Sequence, residues 1–249
     1  FPGLENFVVA DNLESVDSAR WDLYLHGGRG TMSGTGNHRL WKYSRSIYGD
    51  AAQFAAWIFP AQAEFTDRTG EITYVKGDYQ AFPYVQATQE GQRALFMQVL
   101  VPLPADAEVP DVVDRSTEDF LAAEVRAADT TDTFILQDER SGVTVDDVTT
   151  DATFAWIRAR SGRLQEFMVR EATRLAYGGT GLLTSSAPVT LTLAVADDTL
   201  VGAIAHEAPD EYTLHVSHPE GRSVTAATLN GKDVPVTMGP AGTAQLTLR

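Results

Sequence analysis

Tyr24 and His26 lie on one predicted strand, Trp21–Leu25, with His26 closing it immediately before Gly27-Gly28. A phenol and an imidazole at a strand end facing a glycine loop are groups that abstract and return protons. That is the acid–base work needed for β-elimination beside a uronate carboxylate. Such a reaction also needs the carboxylate neutralised, because neutralisation lowers the pKa of the neighbouring carbon acid, and Arg39 or Arg45 is the candidate for that role. A single histidine can equally be structural, and the residue types alone leave both readings open.

The surrounding segment Arg20–Tyr48 differs from the rest of the chain. It carries Arg20, Arg29, His38, Arg39, Lys42 and Arg45 against few acids, with Trp21, Tyr24, Trp41, Tyr43 and Tyr48 interleaved. Gly27, Gly28, Gly30, Gly34 and Gly36 predict a flexible loop between two strands. Aromatic faces stack on sugar rings, and arginine forks hold carboxylates or sulfates bidentately. Arg20, Trp21, Arg29, Arg39, Trp41 and Arg45 are therefore candidate contacts for an anionic polysaccharide. The same composition suits a surface that docks on another domain, or simple surface.

Other chemistry finds less support. The chain has no cysteine and no G-x-S-x-G nucleophile turn, and His206-Glu207 lacks the second histidine of a zinc helix. His206, His215 and His218 approach one another only if a hairpin carries a bulge, since strand alternation turns His215 and His218 to opposite sides; edge positions are the alternative. Pro102–Asp151 is an acidic stretch whose basic residues are Arg115, Arg126 and Arg140. Asp129, Asp132, Asp146 and Asp147 offer hard oxygen ligands for calcium, although they do not fit the spacing of a calcium loop. The other reading is a set of solvated, charged loops.

The elements that must position these residues are strands. Asn6–Ala10, Trp21–Leu25, Gln53–Phe59, Ile72–Val75, Leu95–Val101, Thr133–Leu136, Thr153–Ala159, Leu164–Val169, Val189–Ala194, Tyr212–Val216, Ser223–Leu229 and Ala244–Leu248 are short runs of β-branched and aromatic residues between Gly, Pro, Asn and Asp clusters. Arg160-Ser161-Gly162-Arg163 predicts a hairpin turn, with Phe154, Trp156, Leu164 and Phe167 pointing inward. Asn230-Gly231 predicts a second hairpin, because both positions tolerate positive φ. Ser116–Ala128 reads either as a short helix capped by Ser116 or Thr117 or as a loop crossing a sheet edge. The pattern predicts an all-β chain: a large antiparallel β-sandwich of two packed sheets over residues 1–200, and a small C-terminal β module over residues 201–249.

Composition sets the outer limits. The 249 residues carry a net charge of −15, against the phosphate-neutralising surface that nucleic-acid binding needs. No stretch approaches the roughly 18 apolar residues of a membrane span, and a soluble protein is expected. A cysteine-free, Thr- and Gly-rich β chain beginning at Phe1 suits a trimmed bacterial export product, so a secreted or periplasmic location is expected.

The order of strands resembles the C-terminal β-sandwich region of heparinase II/III-like polysaccharide lyases. The resemblance runs over about residues 5–200. It rests on Asn6-Phe7-Val8-Val9-Ala10-Asp11-Asn12-Leu13 followed by Trp21-Asp22-Leu23-Tyr24-Leu25-His26, then Ala55-Ala56-Trp57-Ile58-Phe59-Pro60 and Leu95-Phe96-Met97-Gln98-Val99-Leu100-Val101-Pro102. Phe154-Ala155-Trp156-Ile157-Arg158 with Gly162-Arg163, and Gly181-Leu182-Leu183, extend it. In that family an α/α-toroid domain precedes the sandwich, and catalysis occurs in the cleft between them. The family's metal-binding and catalytic segments, including a His-Asn-Thr-Leu type strand, lie upstream of this region, and Asn37-His38 has the reverse order.

The resemblance implies the sandwich portion of a lyase acting on an acidic glycan, working with a catalytic toroid domain or companion chain. A non-enzymatic carbohydrate-binding or surface-assembly module is the alternative, and a hydrolase accessory domain is not separable from the first reading. Aromatic residues gathered on one sheet face favour the binding module; a basic cleft at an edge favours the lyase.

Overall fold

The structure, a computed structural model, describes residues 6–44, 50–60, 62–75, 78–196, 199–205, 212–220, 222–238 and 243–248. Every regular element among them is a strand, and the strands form one six-stranded and one 14-stranded sheet, in keeping with the expected β-sandwich class. No helix among the described residues is long and apolar enough to cross a membrane. The chain divides into two compact units, Phe1–Val112 and Val113–Arg249.

The first unit contains β1 (Phe7–His26), β2 (Thr31–Ser33), β3 (His38–Tyr43), β4 (Ala52–Phe59), β5 (Glu64–Val75) and β6 (Asp78–Pro104). Its sheet order is β1-β6-β4-β3-β2, with β5 also paired to β6. The 27-residue β6 organises the unit. Residues Tyr84–Leu100 pair with β1, Asp78–Thr88 with β5 and Met97–Pro104 with β4, all antiparallel. Period-two alternation then sorts the side chains. Leu23, Leu25, Val85, Ala87 and Phe65 join Trp41, Ala56, Ile58, Ala94 and Phe96 in one core, while Arg20, Asp22, Tyr24 and His26 project from the opposite face.

The second unit contains β8 (Phe120–Ala127), β9 (Thr130–Gln137), β10 (Val143–Val145), β11 (Val148–Thr150), β12 (Phe154–Arg160), β13 (Arg163–Tyr177), β14 (Thr180–Ala196), β15 (Thr199–Ala205), β16 (Tyr212–Val216), β17 (Ala226–Leu229), β18 (Lys232–Val234), β19 (Val236–Met238) and β20 (Ala244–Leu248). The short β7 (Asp111–Asp114) precedes β8 on the edge of the same sheet. The main path runs β18-β17-β15-β14-β13-β12-β9-β8-β7, and β14 branches to β16 and β20. Ile157, Phe167, Leu175, Leu182, Leu191, Leu214 and Leu246 from both branches share one core. The sheet is antiparallel except for β15 and β17, which run parallel.

Several expectations from sequence need correction. Ser116–Ala128 is neither helix nor loop over most of its length: Phe120–Ala127 is a strand paired along its whole length with β9, because Leu121, Ala122, Ala123 and Val125 are buried on both faces. At the Arg160–Arg163 hairpin, Leu164 and Phe167 point into the core as expected, but Ala155, Ile157 and Ala159 accompany them, leaving Phe154 and Trp156 half-buried on the other side. Around residue 200, where a boundary was expected, β14 and β15 form a hairpin continuous in hydrogen bonding, whereas the chain divides between Val112 and Val113. The two predicted turns form as expected, with Ser161, Gly162, Asn230 and Gly231 all at positive φ.

One buried carboxylate holds an irregular part of β13. The register shifts between Val169 and Arg174 free backbone donors that the ladder no longer satisfies. Asp151, 8% exposed, accepts the N–H groups of Thr173 and Arg174 (both 2.9 Å) on Oδ1, and the Thr173 hydroxyl (2.5 Å) and Arg140 (2.6 Å) on Oδ2. Burial alone would raise its pKa, but these donors outweigh burial and lower it from 3.8 to about 2. A depressed folded-state pKa contributes stability that is complete above 3.8 and is lost as pH falls toward about 2. The expected outcome is that wild type loses about 2 kcal/mol more than Asp151→Asn across that window. Urea unfolding of both proteins as a function of pH measures it, and equal losses would remove Asp151 as the cause.

Candidate functional site

The outward face of β1, β6 and β5 brings together residues distant in sequence. The register sets Arg20 opposite Glu90, Asp22 opposite Thr88, Tyr24 opposite Gln86 and His26 opposite Tyr84. On the other side of β6, Glu64, Thr66, Arg68 and Gly70 lie opposite Thr88, Gln86, Tyr84 and Phe82. The result is a polar patch that grades along the strands into a patch of rings.

The ring patch consists of Tyr24, His26, Phe82 and Tyr84. Centroid separations are 4.8 Å for His26–Tyr84, 5.1 Å for His26–Phe82, 5.9 Å for Phe82–Tyr84 and 6.0 Å for Tyr24–Tyr84, all tilted. Tyr24 is 50% exposed, a large ring presented to solvent from the sheet face. Gly70 makes room for the group, since a Cβ there would lie 2.7 Å from the Phe82 ring. The aromatic side chain covers the glycine backbone across the strand pair.

The polar patch is pre-organised around Asp22. Its Oδ1 accepts hydrogen bonds from the Thr88 hydroxyl (2.6 Å), Gln86 Nε2 (2.8 Å) and Arg20 Nε (3.2 Å). Gln86 in turn accepts from Arg68 Nε at 3.1 Å, and Arg20 also donates to Thr88 at 3.3 Å. The Thr88 and Gln86 donors lower the Asp22 pKa. The Arg20 pKa is raised first by its hydrogen bond and charge pairing with Asp22, then by the Glu64 and Glu90 carboxylates. Three carboxylates thus surround the arginine at this end of the face.

The expected basic and aromatic segment does not converge on one surface. Arg20, Tyr24 and His26 share the outward face, but Trp21 turns to the core side and donates its indole N–H to the Gly91 carbonyl at 3.0 Å. Trp41 is fully buried, donating to the Pro83 carbonyl at 3.2 Å, and presents no ring to solvent. Arg39 is 4% exposed and held by Asp67 (2.7 Å) and by the carbonyls of Gly36 and His38. Arg29 is exposed in the turn after β1, and Arg45 lies outside the described residues. The loop predicted to be flexible is closely packed at Gly27, where a Cβ would come within 2.2 Å of the Trp41 ring and whose carbonyl accepts from the Tyr43 hydroxyl. His38 stacks on Trp57 at 4.6 Å, and burial followed by the Arg39 charge lowers its pKa.

Three of the four candidate calcium ligands, Asp129, Asp132 and Asp146, are paired with arginines. Asp129 pairs with Arg160 at 2.8 Å and Asp146 with Arg115 at 2.9 Å. Asp132 is fully buried, takes two hydrogen bonds from Arg158 (2.7 and 2.8 Å) and one from the Trp156 indole (3.0 Å). Among the described residues no cluster of three or more His, Asp or Glu is arranged to hold a metal ion. His215 is half-buried in β16, His218 is buried and accepts the Glu220 N–H, and His206 lies outside the described residues.

No family model matches this chain, and no curated protein matches it. The outward face of the first unit therefore stands on its own geometry. Phe82, Tyr84, Gln86, Thr88, Arg68 and Gly70 were not singled out from sequence. Their signal was present in Phe82-Pro83-Tyr84-Val85-Gln86-Ala87-Thr88, a strict alternation of ring or polar residues with apolar ones. Gly70 offers a direct test of the packing. Gly70→Val is expected to push Phe82 and Tyr84 apart and to destabilise the chain by about 1–3 kcal/mol. Denaturant unfolding with near-ultraviolet circular dichroism reads both effects, and an unchanged spectrum and midpoint would show that the rings do not depend on this glycine.

Proposed function

We propose that the first unit is a carbohydrate-binding module whose outward β1–β6–β5 face holds a neutral glycan. The observation that carries this reading is the group of exposed Tyr24 and His26 with half-buried Phe82 and Tyr84, beside the Asp22-centred hydrogen-bond network. Ring faces cover the apolar C–H surface of a sugar, and fixed polar groups next to them select its hydroxyls. A neutral rather than acidic glycan is favoured because Asp22, Glu64 and Glu90 gather around Arg20 and offset its charge. The chain's net charge of −15 points the same way.

Affinity electrophoresis and calorimetry of the full chain against soluble neutral β-glucans and mannans, with alginate and pectate beside them, test the proposal. Binding to at least one neutral polymer is expected, and Tyr24→Ala or Tyr84→Ala should each weaken it about tenfold, equivalent to about 1.4 kcal/mol. Retained affinity in both variants, or retention by uronate polymers alone, would overturn it.

A second reading keeps the expected role as the sandwich portion of a polysaccharide lyase acting on an acidic glycan. It draws on Tyr24 and His26, which share the exposed face with Arg20 and Arg68 near Tyr84. Ultraviolet absorbance of an unsaturated uronate product, measured for wild type and for Tyr24→Phe and His26→Ala, separates the two readings. Product formed by wild type and lost in the variants would favour the lyase.

A further inference from the structure

Topology sets the proportions of the outward β1–β6–β5 face. Among the described residues β1 pairs with β6 alone, and β5 pairs with β6 alone, so the face is three strands wide. At about 4.8 Å between neighbouring strands, that width is about 10 Å. Along the strands the face runs from the Phe82–Gly70 pair to the Arg20–Glu90 pair. The span Phe82–Glu90 of β6 is about 27 Å long. The face is therefore much longer than it is wide.

Its chemistry changes along that length, row by row. His26, Tyr84 and Arg68 form one cross-strand row, Tyr24, Gln86 and Thr66 the next, and Asp22, Thr88 and Glu64 the third. Rings fill one end, where Phe82 lies over Gly70, and carboxylates with Arg20 fill the other. The middle strand sits low in this surface. Gln86 and Thr88 are 5% and 7% exposed, since Arg68 donates across to Gln86 while Arg20 and Asp22 both bond to Thr88. The groups open to solvent form two lines along the flanking strands, Arg20, Tyr24 and His26 on β1 and Glu64 and Arg68 on β5.

We propose that this face takes a linear glycan lengthwise, several sugar units long with its axis along β6, an inference that rests on the carbohydrate reading above. A chain laid across the strands meets a single row over about 10 Å. Laid along them it meets the rings first and then successive donors and acceptors. Sugar hydroxyls both donate and accept: Arg68 and Arg20 supply N–H groups, and Glu64 and Glu90 supply carboxylate oxygens. Each such contact is worth little by itself, and only a chain long enough to reach the far rows gains their sum. Affinity therefore grows with chain length.

Calorimetry and amide chemical shifts of the full chain, with cello- and manno-oligosaccharides from disaccharide to hexasaccharide, test the proposal. The hexasaccharide of the series that binds is expected to hold at least about tenfold more tightly than the disaccharide. It should shift amides continuously from Gly70 and Tyr84 through Thr88 to Glu90. Glu64→Gln, an exposed substitution at the end remote from the rings, should weaken the hexasaccharide about fivefold. Equal affinity for both lengths with shifts confined to the row of His26, Tyr84 and Arg68, or an unchanged hexasaccharide affinity in Glu64→Gln, would overturn the lengthwise mode and leave carbohydrate binding in place. No saturable shift with any oligosaccharide would overturn both.

Discussion

A strand of 27 residues must pair its backbone N–H and C=O groups along both edges, or leave them to solvent, and the first unit is arranged around that requirement in β6. One edge is taken by β1 over most of its length, the other first by β5 and then by β4. This pairing decides which side chains meet. Once Tyr84 is opposite His26, and Gly70 opposite Phe82, alternation leaves the rings on one face and Val85 and Ala87 in the core on the other. A one-residue slip in β6 would exchange those faces, turning Gln86 and Thr88 into the apolar core and Val85 to the outer face.

Buried charge is managed consistently in this acidic chain. Asp132, Asp151 and Arg39 are each nearly sealed from solvent, and each has several donors or acceptors fixed around it. Their role is architectural: Asp151 satisfies the backbone of a distorted strand, Asp132 joins neighbouring strands through Arg158 and Trp156, and Arg39 ties β3 to β5 through Asp67. Removing one partner from such a group leaves the other uncompensated, which is why these positions belong to stability. Glu124 is likewise buried and is paired with the Arg126 guanidinium.

The face of the first unit presents Tyr24 and His26 to solvent beside half-buried Phe82 and Tyr84, with a hydrogen-bond network already in place beneath, which suits an extended ligand held by many weak contacts.

Strand content, the all-β class and the two hairpin turns were legible in the sequence, because β-branched and aromatic runs, turn residues and tolerance of positive φ are local properties. Even the ends of strands such as Tyr212–Val216 and Ala244–Leu248 followed from local composition. The candidate site was only partly legible. Tyr24, His26 and Arg20 could be noted as residue types, but their companions Tyr84, Phe82, Gln86 and Thr88 lie about 60 residues away and are joined to them by register alone. The opposite error arose at Trp41 and Arg39, whose residue types suggest a binding surface although the fold places both inside. Composition determines which segments become strands and how charged the chain is. Which edges pair, and hence which faces are shared or buried, depends on long-range hydrogen bonding that only the tertiary structure decides.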